Sequence, residues 1–253
     1  MKSIKSFLEY TGYVSCLITP LTIAAQKATS KNPNIIYILA DDMGFGELGC
    51  YGNTKIKTPN LDRMAANGMR FTQNYSGSAV SGPSRSCLFT GQHAGHAWTR
   101  DNNPIDDPLP ATAITFAKVL KENGYATGVF GKWGGGNAST TGAPWLQGFD
   151  TFFGYLTHDP AHNYYPDYLD SKGPLDQGNV RIKLNNNGIS AHPSTIVSPA
   201  NDSTKYLQFI GNEWSNTRIK DEALKFIQAN KTQKFLAYMP FTVPHMALQA
   251  PLD

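Results

Sequence analysis

Asp41 and Asp42 are adjacent carboxylates. Two carboxylates side by side suit a hard cation such as Ca²⁺ or Mg²⁺, although an isolated Asp-Asp pair also reads as a solvated turn. The run Ser81-Gly82-Pro83-Ser84-Arg85 places a hydroxyl four positions before a guanidinium. It joins a candidate nucleophile to a fixed positive charge, or else forms a Pro-Ser turn that opens a helix with Ser84 as its cap. His162, within Ala161-His162-Asn163-Tyr164-Tyr165-Pro166, is either a substrate contact or an imidazole packed against the tyrosines. His93, His96 and Arg100 follow the serine run closely enough to order a pocket floor, with structural roles as the other reading. Cys87 lacks a following Pro and Arg and reads as core.

The elements that must position these groups alternate in type. Asn34 to Ala40 is a continuous apolar, β-prone run, which suits a parallel strand covered on both faces and delivers Asp41 and Asp42 at its end. Thr58-Pro59-Asn60-Leu61 to Gly68 reads as a helix with Thr58 able to cap it and Pro59 at its first position. Met69 to Tyr75 looks strand-like, and Ser84 to Thr90 a short helix ended by Gly91. Ala113 to Asn123 has helical spacing at Ile114, Ala117 and Leu120. A strand from Tyr125 to Phe130, a helix from Ile219 to Ala229 and a strand from Lys234 to Met239 follow. Strand and helix in alternation imply a mostly parallel sheet with helices on both faces. Between about Asn137 and Asn216 the sequence is rich in Gly, Pro, Asn and aromatics with little periodicity, as expected of an insertion that builds a substrate site.

Bulk properties bound the function without naming it. The 253 residues carry 22 Lys+Arg against 19 Asp+Glu, a net +3 with no basic run, so nucleic acid is excluded as a partner. Two lysines within Met1 to Lys5 precede a mostly uncharged stretch from Thr11 to Ala25. This predicts an export signal over residues 1–25, and the stretch is too short to span a membrane. Val14-Ser15-Cys16 offers lipoprotein processing as an alternative anchor. Cys16, Cys50 and Cys87 make neither a disulfide framework nor a zinc cluster.

Taken with Thr90-Gly91, the serine run resembles the signature of the type I sulfatase family, in which Cys or Ser, any residue, Pro, Ser and Arg precede three residues and then Leu-Thr-Gly. Phe89 stands here for that Leu. The likeness extends over residues 32–253: Asn34 to Asp42 with Gly44-Phe45-Gly46 and Gly52 is similar to the family's first strand and metal loop. Thr58 to Asp62 is similar to its first helix, and Gly131-Lys132-Trp133 and Pro244-His245 match two further motifs.

The resemblance implies an alkaline-phosphatase-like α/β fold, a three-layer sandwich around a mostly parallel sheet and incomplete at its C-terminus. It implies Ser81 oxidised to formylglycine (3-oxoalanine) by a radical maturase, unless Ser81 replaces a Cys. Asp41, Asp42 and Ser81 would hold Ca²⁺, Arg85 and Lys132 would face the modified residue and the sulfate, and His245 would lie on the sulfate side. An ordinary serine would only exchange one sulfate ester for another, whereas a hydrated aldehyde carries a second hydroxyl whose deprotonation expels the sulfate. Aromatic and amide side chains in the insertion suggest a sulfated glycan as substrate. Two departures matter. Gly134-Gly135-Gly136 occupies the place where many members carry His directly after Gly-Lys-Trp, which makes His162 the candidate replacement. The family's later Asp-Asn pair and second Lys have no counterpart before Asp253. A phosphodiesterase or phosphonate hydrolase of the same superfamily, and a non-catalytic carbohydrate-binding relative, are the rival readings.

Overall fold

The sheet owes its strength to strands that are apolar on both sides. The computed structural model describes residues 32–103, 107–176, 178–190, 207–246 and 249–251. The expected export segment and Cys16 lie outside them. The strands are β1 (Ile35–Leu39), β2 (Ala126–Lys132), β3 (Thr151–Tyr155), β4 (Tyr168–Lys172), β5 (Val180–Lys183) and β6 (Phe235–Pro240). They lie in the order β1-β6-β2-β3-β4-β5. The first four in that order run parallel, and β4 and β5 add antiparallel.

Successive residues of one strand feed opposite faces. On one face Phe130, Phe153, Phe235, Ala237 and Met239 meet Ile219, Ala223 and Phe226 of α4 (Ser215–Asn230). On the other, Val129, Phe152, Leu236 and Tyr238 meet Phe89 of α2 (Ser81–Thr90) and Ala117 of α3 (Phe116–Glu122). The result is three layers, helix on sheet on helix. The Thr115 hydroxyl accepts the Lys118 N–H to cap α3. Before α1 (Pro59–Asn67), Thr58 does not cap: its hydroxyl accepts the Gly49 N–H and donates to Asp62 instead.

Two expectations need correction. Met69 to Tyr75 forms no strand, and Met69, Phe71 and Tyr75 are exposed; β-prone residues make a strand only where an edge exists to pair with. The insertion, whose sequence shows little periodicity, nonetheless carries β3 to β5, which widen the sheet. And β1 is not covered on both faces: Ile36 and Ile38, two residues apart on one face, are exposed, and among the described residues no helix covers them.

At the carboxyl ends of the strands, backbones approach closely. Gly131 has φ +137°, and a Cβ there would lie 2.0 Å from the Pro240 carbonyl oxygen. Its partner across the β2–β3 ladder, Gly154 (φ +149°), would meet the Gly131 carbonyl oxygen at 2.1 Å. Only glycine fits either position.

Candidate active site

Asp41 leaves the end of β1 and is tied to the loop after β6 by its N–H, which donates to the Val243 carbonyl at 3.1 Å. The next residue, Asp42, has φ +57°, a left-handed conformation that Asp tolerates better than most residues. This turn sends the two carboxylates to different places. Asp41 is buried, 5 % exposed, whereas the Asp42 side chain is 63 % exposed.

The buried carboxylate sits between two cations from other elements. Lys132, the last residue of β2, places Nζ 2.7 Å from Asp41 Oδ2. Arg85, on the first turns of α2, places Nη2 3.3 Å from Asp41 Oδ1 and donates through Nη1 to the Lys132 carbonyl at 2.7 Å. Burial alone would raise the Asp41 carboxyl, but Arg85 and Lys132 hold it below its ordinary value. Burial draws the Lys132 ammonium down, with Asp41 opposing. The floor thus sets two buried basic side chains, Arg85 and Lys132, against one buried carboxylate.

Ser81 starts α2, three residues earlier than the expected helix, with its hydroxyl 3.5 Å from both Asp41 Oδ1 and Lys132 Nζ. The helix N-terminus adds a partial positive charge near that oxygen. Gly82 is required beside it, because a Cβ there would lie 2.5 Å from the Asp101 carbonyl oxygen, while its N–H donates to Asn102 Oδ1 at 2.7 Å. A cavity of about 270 Å³ lined by Asp41, Asp42, Ser81, Ser84 and Arg85 opens over these groups.

The rim comes from loops. His245 Nε2 lies 3.3 Å from Asp42 Oδ2, and the rings of His245 and His162 are 4.9 Å apart. Tyr164 holds the two loops together, its hydroxyl 2.7 Å from the Thr242 carbonyl oxygen and its N–H donating to Gln249 Oε1 at 2.8 Å. Burial, then Lys132 and His245, lower the His162 pKa.

The structure thus brings Asp41, Asp42, Ser81, Arg85, Lys132, His245 and His162 to one end of the sheet. It leaves others out. His93 and His96 pair with each other, and Arg100 donates to the Ala94 and Gly95 carbonyls. Cys87 is buried. Of the aromatics described in the insertion, Tyr155, Tyr164 and Tyr165 are buried in the core. Sequence reasoning missed His158, which is 3 % exposed and lies against Gly134. The signal was the unfilled place at Gly134 itself.

Asp41, Asp42 and Ser81 are all oxygen donors, the chemistry Ca²⁺ prefers. Among the described residues no group of three or more acidic, His or Cys side chains is placed to hold a metal ion. The donor set therefore fits part of a shell that needs about six to eight oxygens.

The sulfatase family model matches residues 33–252. The chain is 43 % identical over 141 residues to an N-acetylgalactosamine-6-O-sulfatase of Bacteroides thetaiotaomicron, covering 53 % of this chain and 27 % of that protein. It is 40 % identical over 174 residues to human arylsulfatase A, covering 65 % and 34 %. The chain therefore spans about a quarter to a third of the length of these relatives. Among solved structures, Ps i-CgsB in complex with k-i-k-neocarrahexaose matches with TM-score 0.67 at 27 % identity, over 87 % of this chain and 47 % of that one. A structure in complex with its substrate D-glucosamine-2-N,6-O-disulfate matches with TM-score 0.60 at 26 % identity, over 84 % and 35 %.

Proposed function

The chain belongs to the sulfatase family, and from that premise we propose that it carries the nucleophile-bearing part of an exported enzyme that hydrolyses sulfate monoesters of carbohydrates. One observation supports this above the others: two buried cations, Arg85 and Lys132, face a single buried carboxylate beside Ser81. A site with one positive charge in excess, at a helix N-terminus, favours an anion such as a sulfate ester.

Ser81 is the nucleophile position. Its oxidation to formylglycine removes two electrons and two protons, which a radical maturase takes up. Hydrated, that group would supply position 81 with two hydroxyls on one carbon, the nucleophile chemistry that a sulfate ester requires. Asp41, Asp42 and Ser81 would contribute oxygens to Ca²⁺, which offsets charge on the sulfate. Lys132 holds the nucleophile and neutralises oxygen charge beside it. Arg85 keeps Asp41 ionised and fixes the β2 end through the Lys132 carbonyl. His245 stands at the rim, where the departing alcohol oxygen needs a proton, with His162 beside it as a substrate contact.

Carbohydrate as the substrate class rests on the relatives, one named for N-acetylgalactosamine 6-O-sulfate and one bound to a disulfated glucosamine. In this reading the insertion, through His162, would help to read the sugar. Residues 1–25 act as the export signal, with Cys16 as a lipid anchor where processing occurs there.

The test uses protein made from its complete reading frame together with a formylglycine-generating maturase. Mass spectrometry of the peptide containing position 81 is expected to show an aldehyde, with aryl sulfate hydrolysed far faster than aryl phosphate. Preference for the phosphate would make the protein a phosphodiesterase-type relative. No aldehyde and no hydrolysis, with sugar binding retained, would make it a binding protein.

A further inference from the structure

Gly134 follows Lys132-Trp133 with φ +75°, and the space its missing side chain would fill is already occupied. A Cβ built there would lie 2.6 Å from His158 Cε1, 2.9 Å from His158 Nε2 and 3.2 Å from Arg85 Cδ. The imidazole and the stem of the guanidinium thus close on one small volume from two sides. His158 stands at the N-cap of the 3-10 helix Asp159–His162 with a helical backbone and no side-chain cap hydrogen bond.

Neither ring nitrogen of His158 has a hydrogen-bond partner, and both are shielded from solvent. Leaving such a group buried and unpaired is costly unless a ligand completes it. Its surroundings are charged rather than apolar: Lys132 and Arg85, then Asp41 and His162, act on it. The ring is neutral, because burial, and then the two cations, push it down to about 3. A neutral imidazole presents one N–H and one lone pair, so it can donate to an anion without repelling the cations beside it.

We propose that His158 is a substrate-binding residue of this site, its ring N–H donating to an oxygen of the sulfate group held by Lys132 and Arg85, in place of a side chain on residue 134. The inference rests on the sulfatase reading for the identity of the anion.

Two measurements test it. With ¹⁵N-histidine-labelled protein carrying unmodified Ser81, which binds without turnover, titration with inorganic sulfate in the presence of Ca²⁺ should shift a His158 ring nitrogen, assigned by its loss in His158→Gln. With matured enzyme and an aryl sulfate, His158→Leu, which keeps volume and removes polarity, should raise KM about ten-fold, and His158→Gln should recover most of the loss. A packing role alone would lower Tm in the leucine variant and leave KM unchanged. An unmoved His158 resonance at saturating sulfate, or an unaltered KM in His158→Leu, overturns the proposal. Failure of the unsubstituted enzyme to hydrolyse aryl sulfate would instead remove the sulfatase reading, while the resonance titration still decides whether His158 meets an anion.

Discussion

Asp41 and Asp42 are consecutive residues of one type, yet one lies in the floor of the site between Arg85 and Lys132 and the other stands at the rim against His245. Their burial separates what each pairing can do. Two unit charges about 4 Å apart interact by about 1 kcal/mol in water and about 4 kcal/mol at the effective dielectric of a partly buried pair. The floor is therefore a fixed electrostatic frame that exists before substrate arrives. The rim is built of loop side chains, with Asp42 open to solvent and His245 beside it.

Asp41→Ala should break this contrast most severely. It strands two buried cations, so unfolding free energy should fall by about 3–5 kcal/mol in urea denaturation, and kcat/KM for aryl sulfate by about 10³-fold. A mild effect on both would show that the floor is not preorganised. Gly131→Ala tests the same floor through its backbone: strain at positive φ and the close Pro240 oxygen should cost about 3 kcal/mol in the same assay. At the rim, His245→Gln should lower kcat/KM about 10²-fold while leaving stability within about 0.5 kcal/mol.

A pH series sharpens the boundary. An unfolded histidine titrates near pH 6.5, but folded His158 stays neutral down to about 3. Between these values the unfolded chain binds the extra proton, so stability falls as pH drops from about 6.5 toward 3. His158→Leu should flatten that decline by about 2 kcal/mol between pH 7 and pH 5, read from denaturation midpoints. The smallest effect belongs to the exposed pair: Asp42→Asn should change stability by less than about 0.5 kcal/mol, and less still in high salt.

The sequence was most legible where local pattern and tertiary role agree. Pro59 at a helix start, the buried runs of β2 and β6, and Ile219, Ala223 and Phe226 on one face of α4 all declare themselves by spacing. Thr151 to Tyr155 did not, because a strand buried on both faces has no alternation and carries a glycine for backbone approach rather than as a breaker. Met69 to Tyr75 failed in the opposite way, having strand-like residues and no edge to join. At the site, Ser81, Arg85 and Lys132 were found as motif members. His158 was not, since Thr157-His158-Asp159-Pro160 reads as an ordinary turn, and only the coordinates reveal that its ring occupies the volume left at Gly134.

The touching main chains at Gly131 and Gly154 bear on how such a protein could diversify. A surface made of peptide groups offers nothing for a single codon change to enlarge, shrink or recharge, since any new atom collides with a neighbouring carbonyl. New preferences among esters must arise in the loops that carry His162 and His245, leaving the chemistry beneath them as a shared inheritance.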